Sequence, residues 1–118
     1  MENIMVGKYK VITLCGSTRF KDEFLKVQKQ LTLEGNIVIS VGWFGYADGE
    51  PDNTITPEIK VMLDDIHKRK IDMSDEIYVI NKNGYIGEST IGEIEYATKT
   101  GKRVNYLESH NGYIVNWI

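Results

Sequence analysis

Apolar positions along the chain follow two rhythms in turn. Short β-branched runs at Lys10–Cys15, Asn36–Val41, Ile77–Ile80 and Lys102–Leu107 read as strands, with Gly16, Gly35, Gly42, Asn81 and Gly101 at their ends. Between them the spacing changes to that of a helix. Phe20, Phe24, Val27 and Leu31 line one face of the first, and Thr56-Pro57-Glu58 opens a second with an N-cap threonine and an N1 proline. Ile94, Tyr96 and Ala97 begin a third, which Gly101 stops. The order is therefore β-α-β-α-β-α-β.

Strands that alternate with helices predict a mainly parallel sheet with right-handed crossovers and helices on both faces. The expectation is a small doubly wound, flavodoxin-like α/β fold with strand order about 2-1-3-4. In that order the winding reverses between the first and third strands, and ligands bind beyond their carboxyl ends. Two unusual loops leave those two strands.

The first is Gly16-Ser17-Thr18-Arg19. Backbone N–H groups at the helix start, two hydroxyls and a planar guanidinium make a pocket for a phosphate or a sugar hydroxyl. The Gly-Lys-Ser/Thr of a Walker loop is missing. Ser17 or Thr18 serves equally well as a helix cap, and Arg19 as a solvated charge.

The second loop, Gly84-Tyr-Ile-Gly-Glu-Ser-Thr-Ile-Gly-Glu-Ile-Glu-Tyr-Ala97, leads a glycine-rich approach into a helix. It places Glu93 in the first helical turn, near unpaired N–H groups that would keep the carboxylate ionised, as suits a nucleophile or base. The competing reading takes Thr90-x-x-Glu93 as a capping box, which only satisfies backbone donors.

These motifs resemble the nucleoside 2-deoxyribosyltransferase superfamily. The likeness rests on the strand ending Leu-Cys-Gly-Ser-Thr-Arg, the Ser74-Asp75 before the third strand and the helix start Gly-x-x-x-x-Glu-Ile-x-Tyr-Ala. It covers roughly residues 9 to 108. The 2′-deoxynucleoside 5′-phosphate N-hydrolase branch is most similar in the first loop. The resemblance implies that Glu93 attacks the anomeric carbon, releases the base and leaves a glycosyl-enzyme ester for water or a second base. It implies substrate contacts from Gly16, Ser17, Thr18 and Arg19 in the first loop, and from Gly87, Ser89 and Thr90 in the second. Ser89 matches a hydroxyl that touches phosphate in the hydrolase branch. Where the superfamily usually has an aspartate, two helical turns before Asp75, this chain has His67, with Asp64 and Asp65 about one turn earlier. Either His67 protonates the departing base or Asp64 does. His67 between Ile66 and Lys68 also reads simply as a surface residue.

The segment from Gly42 to Asn53 is crowded with aromatics. Trp43, Phe44 or Tyr46 would stack on a nucleobase while Asp48 or Glu50 reads its edge, or the rings would cover the sheet or a dimer contact. Tyr113 and Trp117 of the tail are further candidates for such a contact, and a homodimer is implied by resemblance. Asp72, Asp75 and Glu76 match no metal-ligand spacing, so neither a metal nor another cofactor is expected.

Composition narrows the partners. The 118 residues suit a single domain spanning 1–118, with no segment apolar enough to span a membrane. With 17 acidic against 14 basic residues, a nucleic acid polymer is an unexpected partner, and a small nucleoside or nucleotide is the expected one. The first residues carry no signal-peptide pattern and one cysteine cannot staple the fold, which points to the cytoplasm. Cys15 reads as a small core residue. Alternatives outside N-glycosidic chemistry on nucleosides are a non-catalytic nucleotide-binding module and a TIR-like NAD glycohydrolase.

Overall fold

The computed structural model describes residues 6–45, 47–51 and 55–109. Strands β1 (Val11–Gly16), β2 (Ile37–Ile39), β3 (Glu76–Ile80) and β4 (Arg103–Tyr106) alternate with helices α1 (Lys21–Leu33), α2 (Pro57–Asp72) and α3 (Glu88–Lys99). All three strand pairs are parallel, as the alternation of rhythms predicts, and the order is the expected β2-β1-β3-β4.

Side chains on a strand point alternately to the two faces, and β1 is buried on both. Ile12 and Leu14 pack with Phe24, Val27 and Leu31 of α1, while Cys15 packs with Ile71 of α2 and Ile94 and Ala97 of α3. A right-handed crossover from β1 outward to β2 puts α1 on one face. Travel in the opposite direction, from β2 across β1 to β3, puts α2 on the other. Polar anchors fix the α2 side. Thr13 Oγ1 lies 2.5 Å from Ser74 Oγ, and Ser74 Oγ donates to the Lys70 carbonyl at 2.8 Å. This satisfies two buried hydroxyls and pins the last turn of α2 to the central strand.

The local signals place α2 well. Thr56 caps it, its hydroxyl accepting from the Ile59 N–H at 3.2 Å. The second strand is shorter than Asn36–Val41: β2 is an edge strand, and after Ile39 the Ser40 carbonyl accepts from Lys70 Nζ at 2.8 Å. Strand β3 gains Glu76 at its start, whereas β4 loses Lys102 and Leu107 from the expected run.

The third helix corrects a larger expectation. It starts at Glu88 with Gly87 as N-cap, and the Ile91 N–H already donates to the Gly87 carbonyl. Thr90 is therefore inside the helix and buried, no capping box forms, and Glu93 lies in the second turn. The approach to that helix is held in place. Asn81 is buried and exchanges hydrogen bonds with the backbone of Glu108 at 2.8 and 3.0 Å. Asn83, at φ 56°, donates its N–H to the Glu108 carboxylate at 2.8 Å.

Gly16 closes β1 at φ +152°, and a Cβ there would sit 2.8 Å from the Ile80 carbonyl oxygen. The Ile80 Cβ at 3.0 Å and N at 3.4 Å belong to the same paired strand, which has little room to yield. Gly16→Ala is expected to destabilise the fold by about 2 kcal/mol through overpacking. Urea denaturation checks this, and an unchanged midpoint would contradict it.

Candidate active site

A cavity of about 810 Å³ opens beyond the carboxyl end of β1, where the winding of the sheet reverses. The first loop contributes Gly16, Ser17 and Thr18 to its wall, and the chain after β2 contributes Trp43. Helix α2 supplies Lys60, Asp64, His67 and Lys70. From the other side come Tyr85, Gly87, Ser89, Thr90 and Glu93. Gly16, Ser17, Thr18, Trp43, Asp64, His67, Gly87, Ser89, Thr90 and Glu93, all singled out in the sequence, thus share one cavity. Arg19 stands outside its wall: its guanidinium lies 4.4 Å from the centre of the Tyr85 ring, and its Nε donates to Ser17 Oγ at 3.0 Å. It braces the loop and a wall residue.

At the floor, three elements bring three reactive side chains together. Cys15 from β1, His67 from α2 and Glu93 from α3 place one ligand-type atom each within 4.8 Å of one another. Cys15 Sγ is 3.4 Å from His67 Nε2, and that nitrogen is 3.8 Å from Glu93 Oε1. Above them Lys60 Nζ bridges Asp64 Oδ2 at 3.2 Å and Ser89 Oγ at 3.0 Å.

Loss of water sets the protonation of the trio. Burial pushes the Glu93 carboxyl up to about 8, with the Cys15 hydrogen bond opposing and the Asp64 charge adding to the rise. Burial pushes His67 down to about 4, helped by the Lys70 ammonium. The Cys15 thiol is raised well above its ordinary value, by burial first and then by Glu93. Burial also lowers Lys70, against the pull of Glu93. At neutral pH the resting site holds a thiol, a neutral imidazole and a protonated carboxyl. Expectations of an ionised Glu93 and an imidazole titrating near neutrality are both corrected. One turn deeper in the helix, Glu93 is past the N–H groups that would hold its charge, and His67 is 8% exposed instead of on the surface.

The aromatic loop divides. Trp43 lines the cavity and donates its indole N–H to Glu50 at 2.9 Å, whereas Phe44 packs edge-on against Phe24 in the α1 core. Asp48 pairs with Lys21 at 2.8 Å, and neither it nor Glu50 lines the cavity. Tyr46, Asp52, Asn53, Tyr113 and Trp117 lie outside the described residues. Asp72, Asp75 and Glu76 are engaged by Tyr96, the Val11 N–H and Asn105 respectively. Sequence reasoning missed Lys60, Lys70 and Tyr85. Lys60 and Lys70 repeat the helical period of Asp64 and His67, a signal that was there to use. Among the described residues no helix is long and apolar enough to cross a membrane.

No protein-family model matches the chain, and no curated protein matches it either.

The opposed shifts of Glu93 and His67 give a signed dependence of stability on pH. Between the ordinary carboxyl value of 4.5 and the ordinary imidazole value of 6.5, the unfolded chain holds a proton on His67 and the folded chain holds one on Glu93. Those contributions cancel. From 6.5 to about 8 only the folded state keeps its proton, so stability falls as pH rises, by about 2 kcal/mol across the interval. Glu93→Gln should remove that fall. Denaturant unfolding of both proteins at several pH values in the interval measures the difference, and parallel curves would refute the assignment.

Proposed function

We propose that the protein cleaves or transfers the N-glycosidic bond of a (deoxy)nucleoside or nucleoside 5′-monophosphate through a covalent bond from Glu93 to the sugar. The observation that carries this reading is the Glu93 carboxyl on the floor of a cavity with room for a nucleoside, 3.8 Å from a buried imidazole that a small side-chain movement brings within proton-transfer reach. The motif resemblance of the two loops supports it, and the wall fits it. Trp43 offers an aromatic face for a base, while Ser17, Thr18 and Ser89 offer hydroxyls for sugar or phosphate. The Ser17 and Thr18 hydroxyls, on a loop that Arg19 braces, favour a monophosphate and with it hydrolysis over base exchange.

In the resting pair one proton sits on Glu93. Passage of that proton to His67 generates a carboxylate and an imidazolium together, the nucleophile and the acid that the first step needs. A Glu93 oxygen then bonds to the anomeric carbon, the carbon–nitrogen bond breaks, and its electron pair goes to the base, which takes the proton from His67. In the second step neutral His67 accepts a proton from water as the water oxygen bonds to the same carbon and the ester oxygen leaves. Two displacements retain the anomeric configuration. Poor solvation makes the carboxylate a reactive nucleophile and lets it stabilise positive charge developing on the sugar.

Two measurements test this scheme. With a 2-deoxy-2-fluoroarabinosyl substrate, whose fluorine slows breakdown of the ester, intact mass spectrometry should show a sugar adduct that peptide mapping places on Glu93. Glu93→Gln should lose the adduct and at least about a hundredfold in turnover, roughly 3 kcal/mol of transition-state stabilisation. Full activity in that variant would end the proposal.

The second measurement is the pH profile. Because the working pair carries one proton, kcat/KM should be level between about 4 and about 8 and fall above it. His67→Ala should lower turnover and abolish the fall, with Asp64→Asn milder. A rate that climbs through about 8 would instead identify unprotonated Glu93 as acting alone.

A further inference from the structure

We propose that Cys15, His67 and Glu93 form a three-ligand site for a zinc-like divalent transition metal, with its fourth position open to the cavity. The donors come from three elements, β1, α2 and α3, whose backbones the core on that face holds in place. No single flexible loop has to gather them.

Geometry and donor chemistry agree. Metal–ligand bonds of about 2.0–2.3 Å in tetrahedral arrangement put ligand atoms about 3.3–3.6 Å apart. The observed separations of 3.4 Å and 3.8 Å, with all three atoms within 4.8 Å, require only small side-chain adjustments. One sulfur, one imidazole nitrogen and one carboxylate oxygen suit zinc or cobalt. Magnesium and calcium call for a shell of oxygens that the floor of the cavity lacks. The imidazole presents Nε2 to both other donors, 3.4 Å from the Cys15 sulfur and 3.8 Å from the Glu93 carboxyl oxygen.

Charge balance is favourable too. Binding drives one proton off the thiol and one off the carboxyl into solvent, and the resulting thiolate and carboxylate neutralise the ion. Asp64 adds negative charge nearby; of the facing cations, Lys70, which acts on Cys15 and His67, is drawn toward the Ser40 carbonyl by a 2.8 Å hydrogen bond, and Lys60, which with Lys68 acts on Glu93, is paired with Asp64 at 3.2 Å. His67 and Glu93 line the cavity, so the face of the ion away from Cys15 is open to water or a ligand. The ion would use the same carboxylate and imidazole as the glycosidic chemistry. Metal occupancy and a glycosyl-Glu93 ester therefore exclude each other, but metal binding itself does not require that chemistry.

Optical titration of the chelator-stripped full chain with cobalt(II) tests the site whether or not the protein turns over a nucleoside. Saturation at one ion per chain is expected, with thiolate-to-cobalt charge-transfer absorption in the near ultraviolet and tetrahedral ligand-field bands in the visible, both erased by added zinc. Cys15→Ser should lose the charge-transfer band, and His67→Ala and Glu93→Gln should each weaken binding by at least about tenfold. Should Cys15→Ser fail to fold, X-ray absorption at the zinc edge of the wild-type complex serves in its place and must show one sulfur at about 2.3 Å. Absence of tetrahedral bands, an unchanged spectrum in folded Cys15→Ser, or a zinc shell without sulfur would each overturn the proposal.

Discussion

Everything in this molecule depends on the register of β1. Ile12, Thr13, Leu14 and Cys15 are all buried, because the strand lies between β2 and β3 and under helices on both faces. Its alternation sends Ile12 and Leu14 into the α1 core and Thr13 and Cys15 toward α2 and α3. A slip of one residue would exchange the two sets. Leu14 would then meet His67 and Glu93, and the thiol would be lost among the side chains of α1. Thr13 guards against that slip, since its hydroxyl has partners at Ser74 and Lys70 only on the α2 side. An unmatched hydroxyl among Phe24, Val27 and Leu31 would carry a desolvation penalty of about 1–3 kcal/mol.

The same register explains the chemical character of the floor. Three titratable groups converge where the sheet offers no water, and each answers by taking its neutral form. An isolated buried charge would be expensive, yet charge is recoverable here because the groups can trade protons or bind a cation. Lys60, Lys70 and Asp64 stand around the trio without being sealed beneath it. The site is thus neutral when empty and able to become dipolar when a ligand arrives.

Much of the fold was legible because periodicity depends on local spacing. The alternation of two rhythms yielded the four parallel strands, their order is the one common to small doubly wound sheets, and Thr56-Pro57 placed the start of α2. Gly16, Ser17, Thr18, Gly87, Ser89, Thr90 and Glu93 share the cavity because the topology alone delivers both loops to one end of the sheet. What failed depended on burial. Thr90 looked like a cap because hydroxyls commonly are, but Gly87 starts the helix three residues sooner and Thr90 turns inward. His67 sits between Ile66 and Lys68 in sequence, and only packing against β1 shows that it faces inward while both neighbours are exposed. The partnership of Cys15 with His67 spans 52 positions, beyond any local pattern.

Those three residues at the start of α3 decide the electrostatics of Glu93. Had the helix begun at Thr90, its carboxylate would have lain among free N–H groups at the positive end of the dipole, a setting that lowers a carboxyl pKa. Beginning at Glu88 carries it about one turn further, into the space between α2 and β1, where desolvation raises the carboxyl to about 8. The first arrangement would provide a permanently charged nucleophile that any cation could screen. The second keeps the group neutral until something removes its proton, whether an imidazole across 3.8 Å or a metal ion. Reactivity at Glu93 is in this sense conditional on what occupies the cavity, and the condition is imposed by where the helix starts.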